Sequence, residues 1–192
     1  MTSRGILCFL VCFYSFFLSA QGETDQQLAQ YYYSNGDFQK AQIYYEKIYD
    51  KDPSKFNFNR YFECLIHTGD KKTAEKILKK QLNANKSDFE YKVQLGQFYE
   101  DEQDIPKAQK NYEELIDELG PDPNTILTLY NAFKLRGKND YALKTIEKGR
   151  KLLKNSYPFN FQFAELYGSM GQTEKMLGEY LDLLDYSTSY AL

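Results

Sequence analysis

Residues 95–121 read LGQFYEDEQDIPKAQKNYEELIDELGP and contain the pattern that decides the fold. Apolar residues recur there at helical spacing, first in Leu95 and Tyr99 and then in Ala108 and Tyr112. This spacing is typical of the buried face of an amphipathic helix and differs from the strict alternation of a strand. The segment therefore predicts two consecutive helices.

The same pattern returns about every 34 residues. The anchor residues, spaced by 33, 34, 34 and 34, are Ala41, Ala74, Ala108, Ala142 and Met176. The columns 13 and 9 residues before each anchor, and 4 residues after it, hold apolar side chains in every copy. Self-similarity at such a period predicts a repeat architecture, and the repeats span about 22–54, 55–88, 89–122, 123–156 and 157–190.

A glycine or a polar residue stands between the two helices of each repeat, at Gly36, Gly69, Gln103, Gly137 and Gly171. Glycine there predicts a helix end with positive φ. Asp37, Asp70 and Asp104 follow directly and are expected to cap the second helix. In the last two repeats that position holds Lys138 and Gln172, so caps are expected from Asn139 or Asp140 and from Thr173.

The order of these residues resembles the tetratricopeptide repeat, in which L-G/A-x2-Y is followed by Gly, A-x3-F/Y and Pro. The first repeat matches it with Leu28-Ala29, Tyr32, Gly36, Ala41, Tyr45 and Pro53. The resemblance covers residues 21–192 and implies an all-α fold, a right-handed α-solenoid of about five helix-turn-helix repeats. The chain departs from the family pattern in having no Trp, and in Gln103 and Met176.

Composition excludes several function classes. With 42% hydrophobic residues the chain is too apolar to be disordered, and its net charge of −3 does not favour nucleic-acid binding by counterion release. A single histidine, His67, leaves no ligand set for a metal and no catalytic triad. The sequence predicts a non-enzymatic protein that needs no cofactor, metal or nucleic acid.

The N-terminus indicates export. Arg4 precedes an apolar run at residues 6–20, and a polar segment follows Ala20. This arrangement is typical of a signal peptide over residues 1–20, cleaved near Ala20, whereas a membrane-spanning helix needs about 20 apolar residues. A retained anchor is the alternative. We expect a periplasmic or envelope-associated protein in which Cys64 is the one remaining cysteine, a buried and inert thiol.

The resemblance also implies a binding groove, lined by the fifth, ninth and twelfth residues of each repeat. The fifth residues are Gln26, Asn59, Val93, Leu127 and Phe161. The ninth are Gln30, Glu63, Gln97, Asn131 and Glu165, and the twelfth are Tyr33, Ile66, Glu100, Lys134 and Gly168. Amides can hydrogen-bond a peptide backbone. We therefore expect a protein partner, an extended peptide or a helix, held by Asn59, Gln97 and Asn131; a merely solvated polar face is the alternative.

Some members of the family clamp a C-terminal carboxylate with basic residues. The corresponding positions here are Gln26, Gln30, Arg60, Glu90 and Gln94. Only Arg60 is cationic, so this kind of clamp is not expected.

The C-terminal helix leaves open what covers it. Leu181, Leu183 and Leu184 are predicted to form an apolar flank, and solenoid ends usually carry a polar cap. Self-association or further repeats would cover this flank. The alternative to an interaction scaffold is that the chain is the N-terminal arm of a longer repeat protein, whose activity, including any enzymatic one, lies in a missing C-terminal part.

Overall fold

The computed structural model describes residues 24–189, without the side chains of residues 155 and 186–189. Its regular structure over these residues is helical, which confirms the all-α, helical-repeat class. The helices are α1 (24–34), α2 (Phe38–Lys51), α3 (Lys55–Thr68), α4 (Lys71–Ala84), α5 (Phe89–Asp101), α6 (Ile105–Asp117), α7 (Pro123–Leu135), α8 (Asn139–Leu153), α9 (Asn160–Ser169) and α10 (Thr173–Ser189). A 3₁₀ turn, Lys154–Ser156, follows α8.

The described residues form two compact units, which divide between Lys80 and Gln81. The division falls inside α4. In the first unit α2 packs on α3, so that the first hairpin joins the second. The second unit contains three complete hairpins, α5–α6, α7–α8 and α9–α10, and α7 and α8 also pack on the hairpin before them.

The repeat period is visible in where the second helix of each hairpin begins. These starts are Phe38, Lys71, Ile105, Asn139 and Thr173. The turns before them have positive φ, at 73° for Gly36, 78° for Gly69, 67° for Gly137 and 72° for Gly171. Gln103 adopts φ of 62° at the same place, a backbone conformation that favours glycine.

Aspartate caps three of the second helices, as the sequence predicts. The carboxylates of Asp37, Asp70 and Asp104 each accept a hydrogen bond from the backbone N–H three residues on. The expectation for α8 is wrong. Its N-cap residue is Lys138, and neither Asn139 nor Asp140 replaces the missing carboxylate, since both already lie within the helix.

The core follows the aligned columns. The anchor residues Ala41, Ala74, Ala108 and Ala142 are fully buried, as are Tyr45, Leu78, Tyr112 and Ile146 one turn later. Small residues allow close helix contact, and Gly96 on α5 is an extreme case. A β-carbon there would collide with the Tyr112 ring and lie 2.7 Å from Asn111 Oδ1 on α6.

Candidate partner-binding face

The first helix of each hairpin presents the residues that the sequence assigns to a groove. The face of α1 and α3 belongs to the first unit and the face of α5, α7 and α9 to the second, so there are two candidate surfaces. In both, the predicted residues lie on the outer side of the first helices, with one exception. Val93 is fully buried, since its side chain belongs to the core of α5.

Arg60 is the centre of the α1–α3 surface. Its guanidinium carbon lies 4.3 Å from the ring centroid of Tyr33 and 5.5 Å from that of Phe56. Its Nη1 lies 3.7 Å from Glu63 Oε2, a partly exposed pair. Burial raises the pKa of the Tyr33 hydroxyl, and the nearby Glu63 carboxylate adds to the rise. Arg60 thus contacts both Tyr33 and Glu63, two residues of the same predicted face.

The amides of this surface differ in availability. Gln30 accepts a hydrogen bond from Tyr45 Oη at 3.3 Å, which orients its side chain. Asn59 is exposed and, over residues 24–189, its side chain has no hydrogen-bond partner. Asn59 is therefore the residue of this surface whose amide is most available to a peptide.

On the second surface, several predicted residues bind neighbouring helices. Gln97 Oε1 on α5 accepts a hydrogen bond from Arg136 Nη1 at 3.1 Å, at the end of α7. Glu100 on α5 pairs with Lys138, the residue before α8. These contacts align successive hairpins. They also engage side chains that the sequence predicts to bind a partner.

Glu165 on α9 has the same role toward α7. It pairs with Lys134 and accepts a hydrogen bond from Tyr130 Oη at 3.1 Å. The bond from Lys134 holds the pKa of the Glu165 carboxyl below its usual range. Burial, followed by the charge of Glu165, raises the pKa of the Tyr130 hydroxyl. The carboxylate therefore stays ionised and the phenol neutral around pH 7.

The part of the second surface that is available to a partner is a row of residues along α7. Leu127 is half-buried, Asn131 is exposed and Leu135 is 70% exposed, and the three follow one another at intervals of four residues. Phe161, 53% exposed, has the place of Leu127 on α9. Within the described part of the chain the Asn131 side chain has no hydrogen-bond partner. We call Leu127, Asn131, Leu135 and Phe161 the α7 stripe.

Sequence reasoning missed the residues that organise these surfaces. Arg136 and Tyr130 lie outside the three groove columns, and only their contacts with Gln97 and Glu165 reveal their role. The sequence places Arg60 only at a position of the carboxylate clamp. Leu135 has the signal that could have found it, since it continues the four-residue spacing from Leu127 through Asn131.

Cys64 and His67 on α3 both pack against neighbouring side chains. The thiol is fully buried, and burial raises its pKa to about 12. The imidazole of His67 lies in the last turn of α3, as predicted, and stacks on the Phe38 ring with centroids 3.9 Å apart.

Two kinds of feature are absent from the described residues. Between residues 24 and 189, His, Cys, Asp and Glu side chains form no group of three or more that could hold a metal ion. Over the same residues, no helix has the length and apolar character needed to cross a membrane.

Part of the chain matches a known repeat family. Residues 32–95 match the tetratricopeptide repeat model. No curated protein matches the chain. Among solved structures, MamA residues 41–end from Desulfovibrio magneticus RS-1 is 12% identical, with a TM-score of 0.43, and covers 88% of this chain and 96% of its own. TTC0263, a tetratricopeptide-repeat protein of Thermus thermophilus, is 17% identical, with a TM-score of 0.41, and covers 88% and 97%.

Outside the match, the described hairpins keep the same period as far as α10. Tetratricopeptide repeats are protein-interaction scaffolds, a class that is generally non-enzymatic. Residues 32–95 are thus similar to the tetratricopeptide repeat, and the described helices continue its period beyond that match.

Proposed function

We propose that this protein is an exported, non-enzymatic scaffold that binds a segment of a partner protein on the outer side of its first helices. The observation that carries the proposal is the α7 stripe. Apolar side chains stand there on both sides of an unpaired amide, Asn131, while the neighbouring charged residues are already paired.

The paired charges indicate what kind of segment would bind. Lys134 with Glu165 and Lys138 with Glu100 cancel one another, so the surface has little net charge to attract a charged peptide. Exposed leucine and phenylalanine side chains can instead accept apolar side chains of a partner. The Asn131 amide both donates and accepts hydrogen bonds and can therefore bind a peptide N–H or C=O. The expected ligand is an extended or helical segment with apolar anchors.

The binding test uses a partner captured from an envelope extract and then purified. The triple variant Leu127→Ala, Asn131→Ala, Phe161→Ala is compared with Ile43→Ala, Ile105→Ala, Gln109→Ala. The control set also truncates two apolar side chains and one amide, but all three lie on second helices and are exposed. We expect the first variant to bind at least tenfold more weakly, since central anchor residues dominate binding energy.

Equal affinity of the two variants would reject the α7 stripe as the binding surface. Equal loss in both would also reject it, because the loss would then be general. Circular dichroism of each variant separates loss of binding from loss of folding.

Export is the second part of the proposal. It is supported by Arg4, the apolar run at 6–20 and the small residue Ala20, all outside the described residues. Mass spectrometry of the protein isolated from its source cells measures the N-terminus directly. A chain beginning at Gln21 agrees with cleavage, whereas an intact Met1 in the cytoplasmic fraction contradicts export.

A further inference from the structure

The exposed side of α10 carries side chains that are buried at equivalent places in the preceding hairpins. Tyr180 is 38% exposed, whereas Tyr112 and Ile146, two repeats and one repeat earlier, are fully buried. Leu184 is 61% exposed, and its equivalent Ile116 is buried. We define Tyr180, Leu184 and Asp185 as the C-terminal end face.

The first hairpin shows the same difference on α1. Tyr31 is 63% exposed, whereas the residue at this repeat position is buried in α7, as Ala132, and in α9, as Leu166. Beside it, the rings of Tyr32 and Tyr44 stack with centroids 5.8 Å apart, and Lys47 Nζ lies 5.2 Å from the centroid of Tyr44. We define Tyr31, Tyr32, Tyr44 and Lys47 as the N-terminal end face.

The second unit shows how one repeat contacts the next. Asp117, at position 29 of its repeat, pairs with Lys148 at position 26 of the following one, with Oδ1 and Nζ 3.2 Å apart. Tyr112, at position 24, meets the ring of Phe133 at position 11 with centroids 5.4 Å apart. A third contact joins position 28 to position 23. These three position pairs define the stacking register.

The register can be continued from the last repeat of one copy to the first repeat of another. Position 29 is then Asp185 and position 26 is Lys47, an opposite-charge pair like the one inside the chain. Positions 24 and 11 are Tyr180 and Tyr32, two aromatic rings, as at Tyr112 and Phe133. The third pair is Leu184 with Tyr44, which replaces an ion pair by an apolar contact. All three pairs are chemically matched.

We propose that the protein self-associates head to tail, with the C-terminal end face of one copy packed on the N-terminal end face of the next. The charges favour this arrangement over pairing of two identical ends. The side of α10 carries Asp182 and Asp185, so two such faces would bring acids together, whereas the N-terminal end face carries Lys47. Heterologous contacts of this kind produce closed rings or open filaments.

This proposal is independent of the proposed function, because the two end faces share no residue with the α7 stripe. Sedimentation velocity of the purified chain over a wide concentration range tests it. We expect the weight-average sedimentation coefficient to rise with concentration. Lys47→Glu and Asp185→Lys should each lower the association constant roughly fivefold, and the double variant should restore it. Lys76→Glu, a charge reversal of an exposed residue on α4, is the matched control.

A mixing experiment tests the head-to-tail geometry. Tyr31→Asp places a charge on the N-terminal end face and Leu184→Asp places one on the C-terminal end face, both at exposed positions that leave the core intact. Each variant alone should be monomeric, since one of its ends is blocked. An equal mixture should form dimers and no larger species.

Three outcomes would overturn the proposal. One is a wild-type chain that stays monomeric at every concentration, because something other than a second copy then covers the ends. Another is a double charge variant that associates no better than the single ones. The third is dimerisation of Tyr31→Asp or of Leu184→Asp alone, which would indicate pairing of identical ends.

Discussion

Arg150 and Glu179 form a two-point ion pair between α8 and α10, with Nη1–Oε1 at 3.0 Å and Nη2–Oε2 at 2.6 Å. Arg150 also donates from Nε to the carbonyl of Pro158 and lies over the Phe163 ring at 3.8 Å. Asn160 donates to the same carboxylate at 2.9 Å. A single guanidinium thus joins the last three helices.

Arg150→Ala should loosen the last hairpin selectively. The substitution removes three charge-assisted hydrogen bonds, two to Glu179 and one to the Pro158 carbonyl, and leaves Glu179 with one donor, so we expect a loss of about 2 kcal/mol. Because a repeat depends on its nearest neighbour, hydrogen exchange should increase in α9 and α10 and much less in α1–α3. Lys110→Ala, which removes an exposed pair within α6, is the control and should change little. Uniformly faster exchange would contradict a local effect.

Gln103→Gly should stabilise the protein. Gln103 has φ of 62°, where a β-carbon is strained, and the four other turns of this kind contain glycine. Relief of strain, offset by the greater freedom of glycine in the unfolded chain, should raise the free energy of unfolding by roughly 0.5–1 kcal/mol. The reciprocal change Gly137→Gln should lower it by a similar amount. Urea unfolding measures both, and a destabilised Gln103→Gly variant would refute the argument.

Gly96→Ala should destabilise the α5–α6 hairpin. The added methyl group meets the ring of Tyr112 and Asn111 Oδ1, and neither can withdraw without disturbing the core. Overpacking of this kind costs typically about 1–3 kcal/mol, which thermal unfolding would detect. Gly120→Ala is the matched control, because its β-carbon would meet nothing within 4 Å. Similar losses in both variants would mean that close packing is not the cause.

Stability should fall in alkaline solution because Cys64 keeps its proton in the fold. Burial raises the pKa of its thiol from 9.0 to about 12, and the charge of Glu63 adds to the rise. Between these values the unfolded chain has released a proton that the folded chain retains. The unfolded state is therefore favoured as pH rises. The free energy of unfolding should decline from about pH 9, and less steeply in Cys64→Ala.

Thiol labelling gives a second measurement of the same property. A buried, protonated thiol should react slowly with a thiol reagent at about pH 8 in the folded protein and quickly in denaturant. Rapid labelling of the folded chain would contradict both the burial and the pKa argument.

The sequence predicts the fold well because its evidence is periodic. Five copies of one column, including Ala41 and Ala142, report the same helix contact, so errors at single positions do not shift the register. The α8 cap is an instance of such an error. Lys138 breaks the aspartate column, and which residue replaces the cap depends on where the helix begins.

The candidate surface is less predictable for a physical reason. Periodicity tells which side chains point outward, but not which of them bind each other. Gln97 and Glu165 belong to the predicted column, yet contacts with Arg136 and Tyr130 on neighbouring repeats use part of their hydrogen-bonding capacity. Such contacts depend on side-chain reach across repeats, which a single aligned column does not contain.

The tyrosine content of the chain also determines its intrinsic fluorescence. The chain has 18 Tyr and no Trp, so its intrinsic fluorescence comes from phenol rings alone. A single Trp introduced at Phe133, whose ring contacts Tyr112 and Tyr141, would be the only indole in the chain. Its emission would report on the junction of the third and fourth repeats alone, and the same replacement at Phe58 would report on the first two.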